Sequence, residues 1–274
     1  MRSERREAMA RHAWWKALSL LVVAGCAGES PAHRGTEASG PEHFLGATPY
    51  IDSEHPTLRR QVAELVEGTS SERERAVRIH DFVRDEVRFG WMPAFYEMKA
   101  SEVLAARRGY CNTKSTLFVA LLRAAGIPAR QHFVDIRTGI LDGLISPGTP
   151  YVDHSYTEVF LEGRWLRVDS YIVDSPLHAQ ALERLARENR MLGYGVHRHG
   201  VVTWDGTADA FSQFVNDGRV PDLTSRDHGI HEDVGAFYRD TREPWNRRTF
   251  FLQLVFPMAA SAANERIDTL REGD

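Results

Sequence analysis

The chain has 274 residues, of which 42% are hydrophobic and 26% are charged, and its formal net charge is −4. These values are typical of a soluble globular protein with room for one sizeable domain and its extensions. The excess of acidic residues argues against a nucleic-acid partner, because phosphate binding depends on an excess of lysine and arginine.

The first 25 residues have the pattern of an export signal. Several basic residues precede the apolar run 17–23, which is too short to span a bilayer permanently but suits the core of a signal peptide. The small residues before Cys26 resemble a bacterial lipoprotein signal, which implies cleavage before Cys26 and lipid on its thiol. The alternatives are a plain secretory signal cut near Ala27 and an uncleaved anchor. We expect a lipid-anchored protein of the bacterial cell envelope, with the outer membrane or periplasm as the default.

Residues 26–50 are rich in Gly, Ser, Pro, Ala and Glu and are predicted to form a flexible tether. The core is predicted to span residues 51–175. It opens with a helix over residues 57–67, and a capping-box pattern at Ser71 starts a second helix that reaches about residue 87.

Residues 88–100 are aromatic and are broken by Gly90 and Pro93, which is typical of a loop beside a cleft. Trp91 is therefore a candidate for lining a substrate groove, and packing against the domain is the alternative. A short helical turn over residues 101–106 leads from this loop toward the cysteine that follows.

Cys111 is predicted to begin a helix. Polar cap-type residues follow it directly, apolar residues then recur at roughly helical spacing, and Gly126 and Pro128 give the stop signal. A thiol at a helix N-terminus meets the positive end of the helix dipole and unsatisfied N–H groups, which favour the thiolate. The alternative is a buried core cysteine.

Cysteine usage favours the functional interpretation of Cys111. The chain contains two cysteines, and if Cys26 carries lipid, Cys111 has no partner in the mature chain. Exported proteins tend to pair or to avoid cysteines. A single thiol retained in an oxidising compartment is therefore expected to have a chemical role.

Two strands are predicted after the cysteine helix and a strand over residues 131–136. They cover residues 151–161 and 164–172 and are separated by a two-residue turn, Glu162-Gly163. In that register Leu161 pairs with Arg164, and His154 and Asp169 become diagonal neighbours on one face of the sheet. A carboxylate there can accept from one imidazole nitrogen and orient the ring. We therefore predict a Cys111–His154–Asp169 constellation, with the nucleophile–base–orienter arrangement of cysteine acyl-transfer enzymes.

The motifs Gly109-Tyr110-Cys111, His154-x-Tyr156-x-Glu-Val and Trp165-x-x-Val-Asp169 resemble the transglutaminase-like core over about residues 70–175. The resemblance implies an α+β, papain-like architecture in which a nucleophile helix packs on an antiparallel sheet that carries the histidine and the aspartate. Tyr156 stands where the family often has tryptophan. Tyr110 and Tyr156 join Trp91 as groove candidates.

The favoured function is that of an envelope-anchored thiol enzyme, which performs acyl transfer or hydrolysis at peptide or protein amides through a thioester. Two alternatives are a cysteine peptidase or amidase acting on peptidoglycan peptides and a non-catalytic peptide-binding or assembly module with the same fold. The partners that we expect are a peptide or protein substrate and the membrane, through lipid on Cys26. We expect no cofactor.

Residues 176–274 are predicted to be a mainly helical extension packed on the core. Its final helix, over about residues 245–270, is interrupted by Pro257. The histidines His197, His199, His228 and His231 have spacings that occur readily by chance, and no carboxylate arrangement in the sequence completes a site. We therefore predict no metal.

Overall fold

A four-stranded antiparallel sheet and the helix packed on it form the centre of the protein. The computed structural model describes residues 40–94, 96–241 and 250–273, with the backbone alone for 250–257. The predicted signal, Cys26 and most of the predicted tether lie outside these residues. In the described part of the chain, no helix is both long and apolar enough to cross a membrane.

The helices and strands follow one another along the chain in mixed order. The α-helices are α1 Pro56–Val66, α2 Glu72–Asp85, α3 Ala100–Ala106, α4 Cys111–Ala124, α5 Ser175–Glu188, α6 Val234–Thr241 and α7 Phe250–Glu272. The strands are β1 Arg88–Phe89, β2 Arg108–Gly109, β3 Ala129–Arg137, β4 Tyr151–Leu161, β5 Arg164–Val168, β6 Leu192–Gly193, β7 Val196–His197 and β8 Thr224–His231.

The central sheet has the order β5-β4-β3-β8 with every neighbouring pair antiparallel. The nucleophile helix α4 packs against β3 and β4 on one face, with α1, α2 and α3 around it. This arrangement confirms the predicted α+β architecture. Residues 112–123 of α4 are all buried, so the helix that carries the cysteine is also the centre of the hydrophobic core.

The β4–β5 hairpin has the predicted register. Leu161 pairs with Arg164 and Thr157 pairs with Val168. The two turn residues, Glu162 and Gly163, have φ values of 51° and 82°, the left-handed pair that a two-residue hairpin of type I′ requires. The strand β5 ends at Val168, four residues earlier than predicted, because the chain turns away there.

Three segments differ from the sequence-based predictions. Residues 40–50, predicted as part of the tether, contain a 3-10 helix, Pro41–Leu45. Its Phe44 is buried and packs edge-on against Trp165 with ring centroids 5.5 Å apart. A 3-10 helix, Thr138–Leu141, lies between the strands predicted over residues 131–136 and 151–161. Helix α7 continues through Pro257 instead of breaking there.

Strand β8 is the main element that the sequence did not predict. It runs from Thr224 to His231, and its residues lack a regular apolar alternation. It lies at the edge of the sheet beside β3, and the register shifts at two places along the pair. Backbone hydrogen bonds to β3 hold this edge strand, and its last residue, His231, is buried. The extension predicted to be mainly helical therefore also contributes a strand to the central sheet.

Candidate active site

Cys111 is the first residue of α4, as the sequence predicted. The Thr113 hydroxyl accepts a hydrogen bond from the N–H of Tyr110 at 3.0 Å, which supports the first turn of the helix. At the other end, Gly126 has φ +80° and Ile127 donates to the carbonyl of Leu122 at 2.9 Å, which is a glycine-based C-cap. Both ends of the nucleophile helix are therefore fixed by local chemistry.

The first turns of α4 lie along an open edge of β4. The pairing between β4 and β5 begins only at Thr157, so the earlier residues of β4 have no strand neighbour on that side. The Ser155 N–H lies near the sulfur of Cys111 and acts to lower the pKa of the thiol, and the Ser155 carbonyl accepts from Ser115 Oγ at 3.3 Å. The first turns of the nucleophile helix thus lie beside the part of β4 that β5 does not pair with.

His154 and Asp169 are in direct contact. His154 Nε2 lies 3.1 Å from Asp169 Oδ2, and both side chains are buried. The other ring nitrogen of His154, Nδ1, has no hydrogen-bond partner among the described residues. The carboxylate therefore orients the ring and leaves one nitrogen available for proton transfer.

A loop that the sequence analysis did not connect with the site holds Asp169 in place. The carboxylate accepts hydrogen bonds from the N–H of Phe214 at 2.8 Å and of Gln213 at 3.2 Å, and also from the N–H of Ser212. The hydroxyl of Ser212 adds a further bond at 3.2 Å. Backbone donors carry no signature in a sequence, so no local pattern could have assigned this role to residues 212–214.

The thiol and the imidazole lie on opposite sides of one strand edge. Side chains alternate along β4, so Asp153 and Ser155 face α4 while His154 faces the other side of the sheet. No hydrogen bond joins Cys111 to His154 in the described part of the chain.

The environment of Cys111 opposes the thiolate, contrary to the prediction. Burial, together with the negative charge of Asp153, raises the pKa of the Cys111 thiol well above its ordinary value, although the N–H groups of Ser155 and Asn112 act in the opposite direction. Desolvation and a nearby carboxylate both destabilise an anion, and here they outweigh the helix N-terminus. Cys111 is a free thiol and is only half-buried, so a reagent can still reach it.

The three groove candidates lie in different settings. The ring of Trp91 stacks on Tyr110 with centroids 4.8 Å apart, and Trp91 is half-buried. Tyr110 and Tyr156 are each only 3% exposed, so neither offers free surface to a substrate in this structure. Tyr156 stacks on His132 at 4.7 Å on the face of the sheet away from α4. Of the three candidates, Trp91 is therefore the one with enough exposed surface to contact a substrate.

The C-terminal helix fixes the loop that carries Trp91. The Asn264 side chain accepts from the Trp91 N–H at 2.8 Å and donates to the Trp91 carbonyl at 3.0 Å. Near the end of α7, Arg271 forms two hydrogen bonds to Asp174, at 2.7 and 2.8 Å. The predicted extension therefore contacts the core at the loop beside Cys111.

Two of the histidines whose spacing was attributed to chance, His197 and His199, lie near a carboxylate, Asp217. Potential ligand atoms of His197, His199 and Asp217 lie within 4.8 Å of one another, which differs from the expectation that no carboxylate completes a set. His197 Nδ1, however, accepts the N–H of His199 at 3.1 Å, so a neutral ring carries its proton on Nε2. A nitrogen that carries a proton cannot coordinate a metal ion, and the cluster does not fit a metal site in this form.

Two other histidines contact β3 and α6 instead. His228 Nε2 lies 2.8 Å from Asp135 Oδ1, and His231 Nδ1 lies 3.5 Å from Asp240 Oδ2. Each is thus paired with its own carboxylate, and neither belongs to the group formed by His197, His199 and Asp217.

The fold and the site together define a class. An α+β core with a cysteine at the start of its central helix, and a buried histidine–aspartate pair on the adjoining sheet, is the architecture of papain-like thiol enzymes. Residues 59–170 match the model of the transglutaminase-like superfamily. The match supports a thiol enzyme in general terms.

Two solved structures show similarity over less than half of the chain. One, from Cytophaga hutchinsonii, is provisionally described as a cysteine protease; it is 21% identical over 46% of this chain and 39% of its own, with a TM-score of 0.38. The other, from Parabacteroides distasonis, is provisionally described as a protease; it is 15% identical over 46% of this chain and 24% of its own, with a TM-score of 0.33. No curated protein shows a significant match. Scores this low carry no argument about activity.

Proposed function

We propose that the protein is a cysteine-dependent enzyme that transfers or hydrolyses acyl groups at peptide or protein amide bonds. Cys111 is the nucleophile, His154 the general acid–base and Asp169 the group that orients it. The observation that carries the proposal is the His154 Nε2–Asp169 Oδ2 contact at 3.1 Å, with Nδ1 left without a partner among the described residues. His154 also directly precedes Ser155, the residue whose N–H acts on the sulfur of Cys111.

The raised pKa of Cys111 favours general-base catalysis over a resting thiolate–imidazolium pair. His154 Nδ1 takes the thiol proton as the sulfur attacks the amide carbon and the carbonyl π electrons move to oxygen. The C–N bond then breaks, and the leaving amine takes the proton from His154. Water or an amine then adds to the thioester as His154 takes its proton, the C–S bond breaks, and that proton returns to the sulfur. The approach of the histidine requires its ring to reach around the edge of β4.

Two donors are candidates for stabilising the oxyanion. The backbone N–H of Cys111 is the first, because it belongs to the residue whose sulfur attacks the carbonyl carbon. Trp91 provides the second candidate, since its indole Nε1 is buried without a hydrogen-bond partner in the described part of the chain. Its ring lies on Tyr110, the residue before the nucleophile. A buried donor without an acceptor costs free energy, and an oxyanion formed at Cys111 is a candidate to satisfy it.

The choice between hydrolysis and transfer depends on whether water or an amine reaches the thioester. Incubation of the full chain with a mixed peptide pool and a primary amine, followed by mass spectrometry, distinguishes cleaved peptides from amine-modified ones. Peptidoglycan peptides in the same pool test the amidase alternative. We expect product from the wild type and none from Cys111→Ala or His154→Ala. Product from Cys111→Ala would refute the proposed nucleophile.

The raised thiol pKa and the missing Cys111–His154 hydrogen bond favour a second candidate function. In this alternative the core is a non-catalytic module that binds a peptide or supports assembly. Cellular function that is unchanged in the Cys111→Ala protein, together with no product from any peptide, would favour it over the enzyme.

The site of action is proposed from the sequence alone. Lipid on Cys26 would hold the enzyme at the cell envelope, where peptide and protein amides are available. Intact mass of the protein purified from membranes tests this proposal, because a diacylglycerol-modified N-terminal Cys26 has a mass that an unmodified chain beginning near Ala27 does not share.

A further inference from the structure

Asp153 lies beside Cys111 but takes no part in the proposed proton transfer. Its Oδ2 atom accepts hydrogen bonds from Asn112 Nδ2 at 2.6 Å and from the Tyr238 hydroxyl at 2.7 Å. Asn112 directly follows Cys111 in the first turn of α4. The two hydrogen bonds therefore hold the Asp153 carboxylate at the N-terminus of the nucleophile helix.

The hydrogen bonds show that Asp153 acts as an acceptor on one oxygen only. Asn112 Nδ2 is a donor, and it also donates to the Tyr238 hydroxyl at 2.9 Å, so that hydroxyl directs its own hydrogen to Asp153. Burial raises the pKa of Asp153 above its ordinary value and the charge of Asp135 adds to this, whereas the two donated bonds favour the carboxylate ion and act in the opposite direction. No other side chain among the described residues donates to Oδ1, and Asp153 is half-buried.

The negative charge of Asp153 has no positive partner in the described part of the chain. No Lys, Arg or His there forms an ion pair with it, and the charged group that acts on it most is another carboxylate, Asp135. A half-buried carboxylate without a cation is unfavourable in the free protein. A ligand that brings a positive charge to Oδ1 removes that cost.

We propose that Asp153 forms a subsite beside Cys111 that binds a cationic group of the substrate, an ammonium or a guanidinium. This inference rests on the proposed function and names the substrate class of the same site. An amine held as an ammonium ion has no lone pair and cannot attack a thioester. The bound group is therefore a recognition element of the substrate and differs from the water or amine that completes the reaction.

The surroundings of Asp153 suit a cation in two further respects. Aromatic rings lie near the hydrogen-bond partners of the carboxylate: Tyr238, which donates to Asp153, stacks on Tyr96 at 3.8 Å, and Tyr110, which precedes Cys111, stacks on the half-buried Trp91 at 4.8 Å. Aromatic faces attract cations. A cation at Asp153 also cancels the charge that helps to raise the pKa of Cys111, so binding of the correct substrate would promote thiolate formation at the moment when it is needed.

Two thiol reagents of opposite charge test the subsite without a known substrate. We would measure the rates at which trimethylammonioethyl and sulfonatoethyl methanethiosulfonate modify Cys111 in the full chain carrying Cys26→Ser. Each rate is divided by the rate of the same reagent with 2-mercaptoethanol. Both reagents require the thiolate, so the ratio of the two normalised rates is independent of the thiol pKa and reports local charge alone.

We expect the cationic reagent to be favoured by about tenfold or more in the parent protein and Asp153→Asn to remove most of that preference. Asp135→Asn is the matched control: Asp135 pairs with Asp153 across β3 and β4 and faces the same side of the sheet, but its carboxylate contacts His228 at 2.8 Å. It should leave the ratio within about twofold, since field strength falls with distance. Tyr238→Phe retains the carboxylate and should retain the preference.

A ratio near one in the parent protein, or equal ratios for the parent and Asp153→Asn, would overturn the subsite. That result in an enzyme that still turns over amides would leave the proposed function intact. Failure of both reagents to modify Cys111 would overturn the subsite and the proposed function together, because the thiol would then be inaccessible.

Discussion

Ser155 and Cys111 lie close together at the unpaired part of β4, where the Ser155 N–H acts to lower the pKa of the Cys111 thiol. The carbonyl of the same residue accepts from Ser115, one turn further along α4. This contact places the first turns of α4 beside β4. Asp153 lies on one side of it, and the His154–Asp169 pair lies on the other, so the site combines a base for the thiol with a separate negative charge.

The reactivity of Cys111 should rise when Asp153 is neutralised. Asp153→Asn removes a negative charge that raises the pKa of the thiol, so that pKa should fall and the thiolate fraction at neutral pH should increase. We expect faster alkylation by uncharged iodoacetamide, with the rate–pH curve displaced to lower pH. Asp135→Asn should displace it much less. Slower or unchanged labelling of Asp153→Asn would contradict this account of the thiol.

Trp91→Phe tests the indole N–H as an oxyanion donor. Phenylalanine retains a ring for stacking on Tyr110 but has no N–H, so the loss should fall on kcat, by about 100-fold, with KM little changed. The control is Trp204→Phe, which removes a buried indole whose Nε1 donates to the Ala208 carbonyl at 2.8 Å. Equal effects of the two variants on kcat would show that Trp91 acts through stability rather than through the reaction.

Arg271 should contribute more to stability than an exposed arginine. Its guanidinium forms two hydrogen bonds to Asp174 and one to the Phe89 carbonyl, and the side chains of the ion pair are 9% and 3% exposed. Arg271→Gln leaves Asp174 without its main cation, and we expect a loss of about 3 kcal/mol in the free energy of unfolding. Arg187→Gln, which breaks a pair whose side chains are 62% and 59% exposed, should cost less than about 0.5 kcal/mol. Urea unfolding at pH 7 measures both.

The contribution of the Arg271–Asp174 ion pair to the free energy of unfolding should depend on pH in the acid range. Burial alone would raise the pKa of Asp174, but the hydrogen bonds and charge of Arg271 outweigh it and lower that pKa. A carboxyl whose pKa is lowered on folding contributes stability above its unfolded pKa of about 4, and that contribution disappears as the pH falls through the folded value. The difference between wild type and Arg271→Gln should therefore shrink between pH 7 and pH 3. A constant difference would contradict the assignment.

Lys114 predicts a dependence on pH of the same sign in a higher pH range. It is fully buried in α4, donates to the Val87 carbonyl at 2.6 Å, and burial lowers its pKa from 10.5 to about 7. Between these values the unfolded chain binds more protons than the folded one, so the contribution of Lys114 to stability rises with pH. The stability of wild type relative to Lys114→Met should increase by on the order of 2 kcal/mol from pH 6.5 to pH 9.5.

The matched control for this measurement is Lys99→Met, at an exposed lysine that precedes α3. Its difference from wild type should stay constant over the same range. A Lys114→Met difference that also stays constant would show that Lys114 remains charged throughout.

The sequence by itself determined the start of the nucleophile helix and the register of the β4–β5 hairpin. Both depend on local chemistry: Cys111 is followed by residues that support a first helical turn, and Glu162-Gly163 forms the turn that fixes Leu161 opposite Arg164. Because the register of a hairpin sets which side chains are neighbours, the contact between His154 and Asp169 followed from the same pattern.

Only the tertiary structure decided what surrounds the thiol. Asp153 and Tyr238 contact Asn112 in the first turn of α4, although they lie 41 and 126 residues from it in the sequence. The amides that hold Asp169 come from a loop more than 40 residues further along the chain. Desolvation depends on how these segments pack and not on neighbours along the chain. A helix N-terminus alone indicated a thiolate, whereas the packed site, with its burial and its carboxylate, favours a neutral thiol that needs a base.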